Sequence, residues 1–258
     1  MLVKSLSNVE TELIHKRPLK EDIFDVLHEK IISGAYKPGD WLRQEDIATQ
    51  LGVSMTPVRE GLDLLVSSGL AERVPYRGVR VREMATKDVV EAYGMRLILE
   101  AVIAQEAAKN ITAGQLQGLD RMLDEMKKHE TLNEMSTARR LSREFHSMIA
   151  KSSRNDLLIK LYEMVANAFP DWLLYEAVFR NPEILADSME NTDQEHIAIV
   201  DALKKRDGNQ AVQKSIEHVM ESGKWLETYV DKEYLDIPSE LLREKEEQVL
   251  FLLKKTSK

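Results

Sequence analysis

Apolar residues recur every three to four positions from Leu19 to Ser33, at Leu19, Ile23, Val26, Leu27 and Ile31, the period of a helix with one buried stripe. Gly34 is a helix stop, and Lys37-Pro38-Gly39-Asp40 is turn chemistry. A short second helix is predicted over Gln44–Leu51. Ser54 caps a third that runs to about Ser68, with Pro57 in its first turn, where a missing N–H leaves no acceptor unsatisfied. Gly69 ends it. The period then changes from helical to alternating: Leu70–Val74 and Val79–Arg82 pattern as strands, joined by Pro75-Tyr76-Arg77-Gly78. Three short helices followed by a hairpin make a winged helix-turn-helix.

Beyond Glu83 the alternation disappears. Helical periods run through Thr86–Lys109, Thr112–His129, Leu132–Ser152, Asn155–Ala168, about Pro182–Arg206 and Asn209–Val230, with Gly, Asn, Pro or Ser at the breaks. A last helix, about Ser239–Lys255, follows Ile237-Pro238. The fold class expected is therefore mainly α: an N-terminal winged helix-turn-helix and a C-terminal bundle of six to seven helices. The expected divisions are a flexible arm over 1–17, the winged domain over 18–83, the bundle over 84–232 and a C-terminal extension helix over 233–258. In that last helix Val249, Leu250, Phe251, Leu252 and Leu253 are too many apolar neighbours for one stripe, so docking onto a partner subunit is expected of it.

Composition narrows the classes. With 43% hydrophobic residues among 258, the chain can bury a substantial core. It has no Cys, which removes disulfides, thiolate metal sites and Cys nucleophiles. No apolar run approaches a membrane span and the N-terminus has no secretory h-region, so a cytoplasmic protein is expected. The net charge of -8 would argue against a nucleic-acid partner if it were evenly spread. It is not: residues 1–82 hold 12 basic and 12 acidic residues, and the whole excess lies beyond them. Arg73, Arg77, Arg80 and Arg82 fall within ten residues that contain no acid, a basic wing on an acidic body.

Within the winged domain the turn geometry is consistent. Ala48 is small enough for two helices to approach, Gly52 suits a left-handed turn, and Val58 can pack back against the pair. The second helix of such a pair enters the major groove by its N-terminal end. Candidate DNA-contacting residues are Arg43, Ser54, Met55, Thr56 and Arg59, with Arg77 and Gly78 in the wing. The plainer alternative is a three-helix subdomain with a solvated Arg59.

In the bundle, Arg96 and Glu100 are charged residues four apart in an otherwise apolar stretch of helix. They make either a structural ion pair or one wall of a polar cavity, where Arg96 would suit a ligand carboxylate. Of six histidines, His146, His196 and His218 lie mid-helix on three different bundle helices, among apolar or small residues. Each alone is an ordinary core histidine. Converging, three imidazoles could hold Zn²⁺ or a similar divalent ion.

The stretches GAYKPGDWL, DIATQLGVSMTPVREGL, LxxSGL and RGVRV together resemble the GntR family of bacterial transcription factors, over residues 19–82. MRLILEAV (95–102), EFH (144–146), Asn155, EHIAI (195–199) and His218 look like the FCD, or FadR-like, class of effector domain, over about 86–230. The resemblance implies a homodimer on an inverted-repeat DNA operator, with Arg59 and Gly78 touching DNA. It further implies a small organic acid effector, with Arg96, Glu100, Ser142 and Asn155 as candidate effector-binding residues. Many such domains bind a divalent metal through one Asp and three His. The histidines match at His146, His196 and His218, but the Asp position is Ser142 here; Asp193, one turn before His196, is a possible substitute. Two further departures are Met55, where most relatives carry Arg, and Gly61, usually Ala, for which a loss of about 1 kcal/mol of helix stability is expected.

The function expected is a ligand-responsive transcriptional regulator. The alternatives from other classes are a metal-dependent hydrolase on a helical bundle and a ligand-free DNA-architectural protein. Against the hydrolase, the sequence has no HExxH, no GxSxG and no di-iron ExxH pairs. The aromatic-rich segment Phe169–Ser188 is either core packing or a lid over a pocket.

Overall fold

The computed structural model describes residues 18–32, 35–83, 85–129, 135–168, 183, 185–229 and 236–256. The expected arm over 1–17 and most of the aromatic segment Phe169–Ser188 lie outside the described residues. Among the described residues there are ten helices and one two-stranded sheet, the mainly α architecture expected.

The first three helices are α1 (Leu19–Ile32), α2 (Gln44–Leu51) and α3 (Met55–Ser67). Their stripes meet: Ile23, Leu27 and Ile31 of α1 are buried against Val58, Leu62 and Leu65 of α3. Gly52 ends α2 in the left-handed region at φ 66°, with its N–H directed at the Ala48 and Thr49 carbonyls. Ser54 is the extended N-cap of α3, but its side chain makes no capping bond.

Strands β1 (Ala71–Val74) and β2 (Gly78–Val81) pair antiparallel, with Ala71 opposite Val81 and Val74 opposite Gly78. The turn of the hairpin needs Tyr76 at φ 63° and Gly78 at φ 118°. The Lys37–Asp40 turn lies along β2: Gly39 N donates to Val81 O (3.0 Å), Leu42 N donates to Val79 O (2.9 Å), and Trp41 bridges Arg80. The segment before α2 thus fixes the wing against the helices.

Gly61 corrects the expectation drawn from helix propensity. A Cβ there would lie 2.8 Å from Ile23 Cγ2 and 3.3 Å from the Lys20 carbonyl, because α1 crosses α3 at this point. The glycine permits the crossing, and overpacking opposes the propensity gain. Gly61→Ala is therefore expected to lower stability by a net of about 1–2 kcal/mol, and the melting temperature with it. A raised melting temperature in thermal denaturation would show that α1 can shift at little cost.

The bundle is built on α4 (Thr86–Asn110), a 25-residue helix buried over much of its length. Around it pack α6 (Met135–Ser152), α7 (Asp156–Ala168), α8 (Leu185–Lys204) and α9 (Gly208–Tyr229), while α5 (Ala113–Met126) lies against α6 and α8. The helix ends are tied. Thr112 and Gln115 form a capping box on α5. Arg206, at φ 53°, donates to the Lys109 and Ile111 carbonyls at the end of α4, both at 2.9 Å. No helix among the described residues is long and apolar enough to cross a membrane.

The extension helix α10 (Ser239–Thr256) lies on α4 of its own chain. Leu242 and Val249 are buried. The Tyr93 hydroxyl donates to Glu246 Oε1 at 2.6 Å, and the lack of a side chain at Gly94 admits the Lys245 stem. Leu250 and Leu253 are partly buried against the core, whereas Phe251 and Leu252 are more than half exposed. The run that overfilled one stripe is divided between two faces.

A candidate DNA-reading face and a buried histidine cluster

Ser54, Met55, Thr56 and Arg59 are all exposed at the N-terminal end of α3. Arg43 is exposed at the N-cap of α2, and Arg77 and Gly78 are exposed at the wing tip. Every residue singled out for DNA contact is therefore solvent-facing, and Met55 keeps half of its surface open (51%) at the first position of α3. The basic patch is smaller than the count along the chain suggests. Arg73 bonds Asp63 of α3, and Arg80 Nε donates to Glu72 Oε1 across the hairpin at 2.6 Å. Those two guanidinium groups stiffen the wing, while Arg77 projects from it.

The second site lies inside the bundle. His146 is on α6, His196 on α8 and His218 on α9, and the structure brings all three together. Their ring centroids stand 4.9–5.0 Å apart in a near-equilateral triangle. One ligand-competent nitrogen from each lies within 4.8 Å of the others. His196 and His218 are buried and His146 is half-buried. The core residue Phe145 walls the cluster, its ring 4.6 Å from that of His196. Burial holds His146 and His196 well below the usual histidine range, and the neighbouring His218 adds to this in both. Neutral imidazoles are the protonation state that a metal requires.

Two details fit the donor set to a divalent ion. His146 Nε2 and His196 Nε2 are 3.2 Å apart. That separation suits an N–H···N hydrogen bond, and it equally suits two ligands of one ion with bonds of about 2.0–2.1 Å. His196 Nδ1, on the other edge of that ring, is a buried nitrogen with no hydrogen-bond partner, so this imidazole lacks the outer bond that fixes the tautomer of a ligand. Glu195 Oε2 lies 2.7 Å from His218 Nδ1, the carboxylate–histidine arrangement that fixes a tautomer and leaves Nε2 to coordinate. Glu195 was missed from sequence because its neighbour in the chain is His196, whereas its partner lies on the next helix.

Arg96 and Glu100 also prove to be buried, their side chains 7% and 6% exposed, with Arg96 Nε donating to Glu100 Oε1 at 2.9 Å. Arg96 lies near enough for its charge to act on His146.

Residues 19–81 match the family described as bacterial regulatory proteins, gntR family, and residues 91–221 match the FCD domain. The chain belongs to the GntR family, with an FCD effector domain. As a GntR regulator it is similar to the HTH-type transcriptional repressor RspR of Escherichia coli K12, at 26% identity over 83% of this chain and 91% of the relative. It is also similar to the probable D-xylose utilization operon transcriptional repressor of Paenarthrobacter nicotinovorans, at 30% identity over 76% and 83%. In fold it resembles McbR/YncC of E. coli, with a TM-score of 0.57 and 24% identity over 81% of this chain and 96% of that one. The two curated relatives carry the names of transcriptional repressors, not of enzymes.

For this GntR regulator the remaining effector candidates divide. Ser142 is half-buried one turn before His146 on α6. Asp193 is described and half-buried, but it contributes no oxygen to the group of mutually close ligand atoms. Asn155 is exposed, and its Oδ1 accepts from Leu158 N at 3.1 Å, so it caps α7.

Proposed function

We propose that this GntR regulator works in the cytoplasm as a homodimer on an inverted-repeat operator. Its division would be 18–83 for DNA, 84–232 for effector and dimer contacts, and 233–258 as a brace on α4. A small organic acid, bound at the histidine cluster through a divalent metal, alters DNA affinity. His146, His196 and His218 would hold the metal, which supplies a Lewis-acidic point for a carboxylate. Arg96 offers a second cation to the same acid. The observation that carries the reading is the convergence of three imidazoles, two of them buried, one from each of three helices, beside a guanidinium.

The contacts of α6 suggest how the site acts at a distance. His146 lies one turn beyond Arg143, whose Nη1 donates to the Ser67 carbonyl at the end of α3 at 3.1 Å. A ligand that shifts α6 bears directly on the reading helix, which changes how the two half-sites fit.

For the dimer, α4 and α7 pack side by side. They expose Met95, Ile98 and Val102 on one helix and Leu157, Leu161 and Met164 on the other. That apolar face is the natural two-fold surface. Ile98→Glu with Leu161→Glu is expected to elute as a monomer in gel filtration; unchanged elution would place the interface elsewhere.

The functional test is a DNA shift assay on the gene's own upstream region, with metal or chelator, alongside elemental analysis of the purified protein. No bound inverted repeat under any condition defeats the operator reading, and metal-free protein after growth with zinc defeats the metal reading. In the same assay Met55→Arg, at the exposed start of α3, is expected to tighten binding or change base preference at one position per half-site. Unaltered affinity and preference would mean that Met55 does not face the groove.

A further inference from the structure

The charges around the cluster do not close around a dication. The three groups that would ligate are imidazoles, which bring no negative charge to a metal. Among the described residues, no carboxylate joins their group of close ligand atoms. Glu195 is engaged with His218 Nδ1, and Glu100 is engaged with Arg96. The remaining place for a side chain on the same face of α6, one turn before His146, holds Ser142. A dication there would add charge to a largely buried site in which both nearby carboxylates already have partners, so a further anionic ligand would be favoured. Zinc also needs a fourth ligand.

We propose that Ser142 leaves this centre one anionic ligand short, and that the carboxylate of the effector supplies it, so that metal and acid bind as a coupled pair. This inference rests on the metal reading above. The protein alone holds the metal weakly, and the acid alone finds only Arg96. Together each completes the site of the other, and by linkage the metal tightens the acid by the same factor that the acid tightens the metal. The effector class follows: a small mono- or dicarboxylate, compact enough to put one carboxylate between a metal and a guanidinium. A regulator built this way responds to the acid only when the metal is available.

The test is calorimetric titration of Zn²⁺ into the full-length, metal-stripped protein at fixed pH, alone and in separate arms with saturating succinate or lactate. The wild type is expected to bind zinc at least about tenfold more tightly in one of the acid arms. Ser142→Asp, which restores an anionic ligand, is expected to bind zinc at least about tenfold more tightly than wild type without acid, and to lose most of the acid effect. Its melting curve reports whether it folds, and the wild-type arms decide the question without it. Zinc affinity of the wild type that neither acid changes overturns the coupling while leaving the metal site in place. No zinc binding in any arm, for either protein, overturns the metal reading itself.

Discussion

Arg96→Met is expected to destabilise the protein by about 3–5 kcal/mol, and Glu100→Met by a similar amount, while the double substitution recovers most of the loss. The reason lies in where the pair sits. Arg96 and Glu100 are one turn apart on α4, joined at 2.9 Å, with about one-fifteenth of either side chain reaching solvent. Their mutual attraction roughly offsets the desolvation of both, so the pair contributes little net stability. Removing one partner strands the other charge in the core. Removing both replaces the pair with apolar side chains of similar length, a change that is often neutral or better. Urea denaturation followed by circular dichroism measures the cycle. Small single effects that add in the double would mean the pair is solvated. The same double variant separates structure from sensing. It is expected to fold, to bind operator and to keep the melting shift from zinc alone, yet to lose most of the extra shift that a carboxylate adds, because the guanidinium is gone.

What was legible in the sequence was local geometry and period. Gly52, at φ 66°, lies where the spacing of Ala48, Gly52 and Val58 required a left-handed turn. The switch from helical to alternating period at Leu70 marked the hairpin. Three histidines, each on a core face of its own helix, proved to face one another, because three such faces in a bundle converge on its axis.

What was hidden was pairing between residues far apart in the chain. A count of arginines along the wing cannot show that Asp63 of α3 and Glu72 of the opposite strand engage two of them. Nor does a helix propensity reveal that Ile23 presses on Gly61. The bracing of α10 was invisible for the same reason: Tyr93 and Glu246 are 153 residues apart, and Tyr93 fits only because Gly223 on α9 presents bare backbone to its ring. Burial, then the bond to Glu246, raises the Tyr93 hydroxyl well above the usual tyrosine range, so it remains a proton donor at any physiological pH.

The metal-free protein is expected to lose stability steeply as the pH falls below about 6.5. His146 and His196 are pushed toward the neutral form first by burial, and then by the proximity of His218 to both and of His196 and Arg96 to His146. In the unfolded chain both would titrate near the ordinary value of about 6.5. Their folded values are depressed, so their contribution is complete above about 6.5. It drains away as the pH falls toward the folded values, because only the unfolded state takes up protons in that window. The limiting slope is about 1.4 kcal/mol per pH unit for each histidine. His196 supplies the firmer half of this, since it is 1% exposed whereas His146 is half-buried. Denaturant midpoints measured with chelator between pH 7.5 and 5.5 read the slope, and His196→Gln is expected to reduce it by about half. Added zinc should raise the midpoint at pH 7.5 and lose its effect in acid, since protons and metal compete for the same nitrogens. A chelated protein whose stability is flat across this range would mean that the imidazoles are solvated, and the cluster would then have no claim to be a preformed metal site.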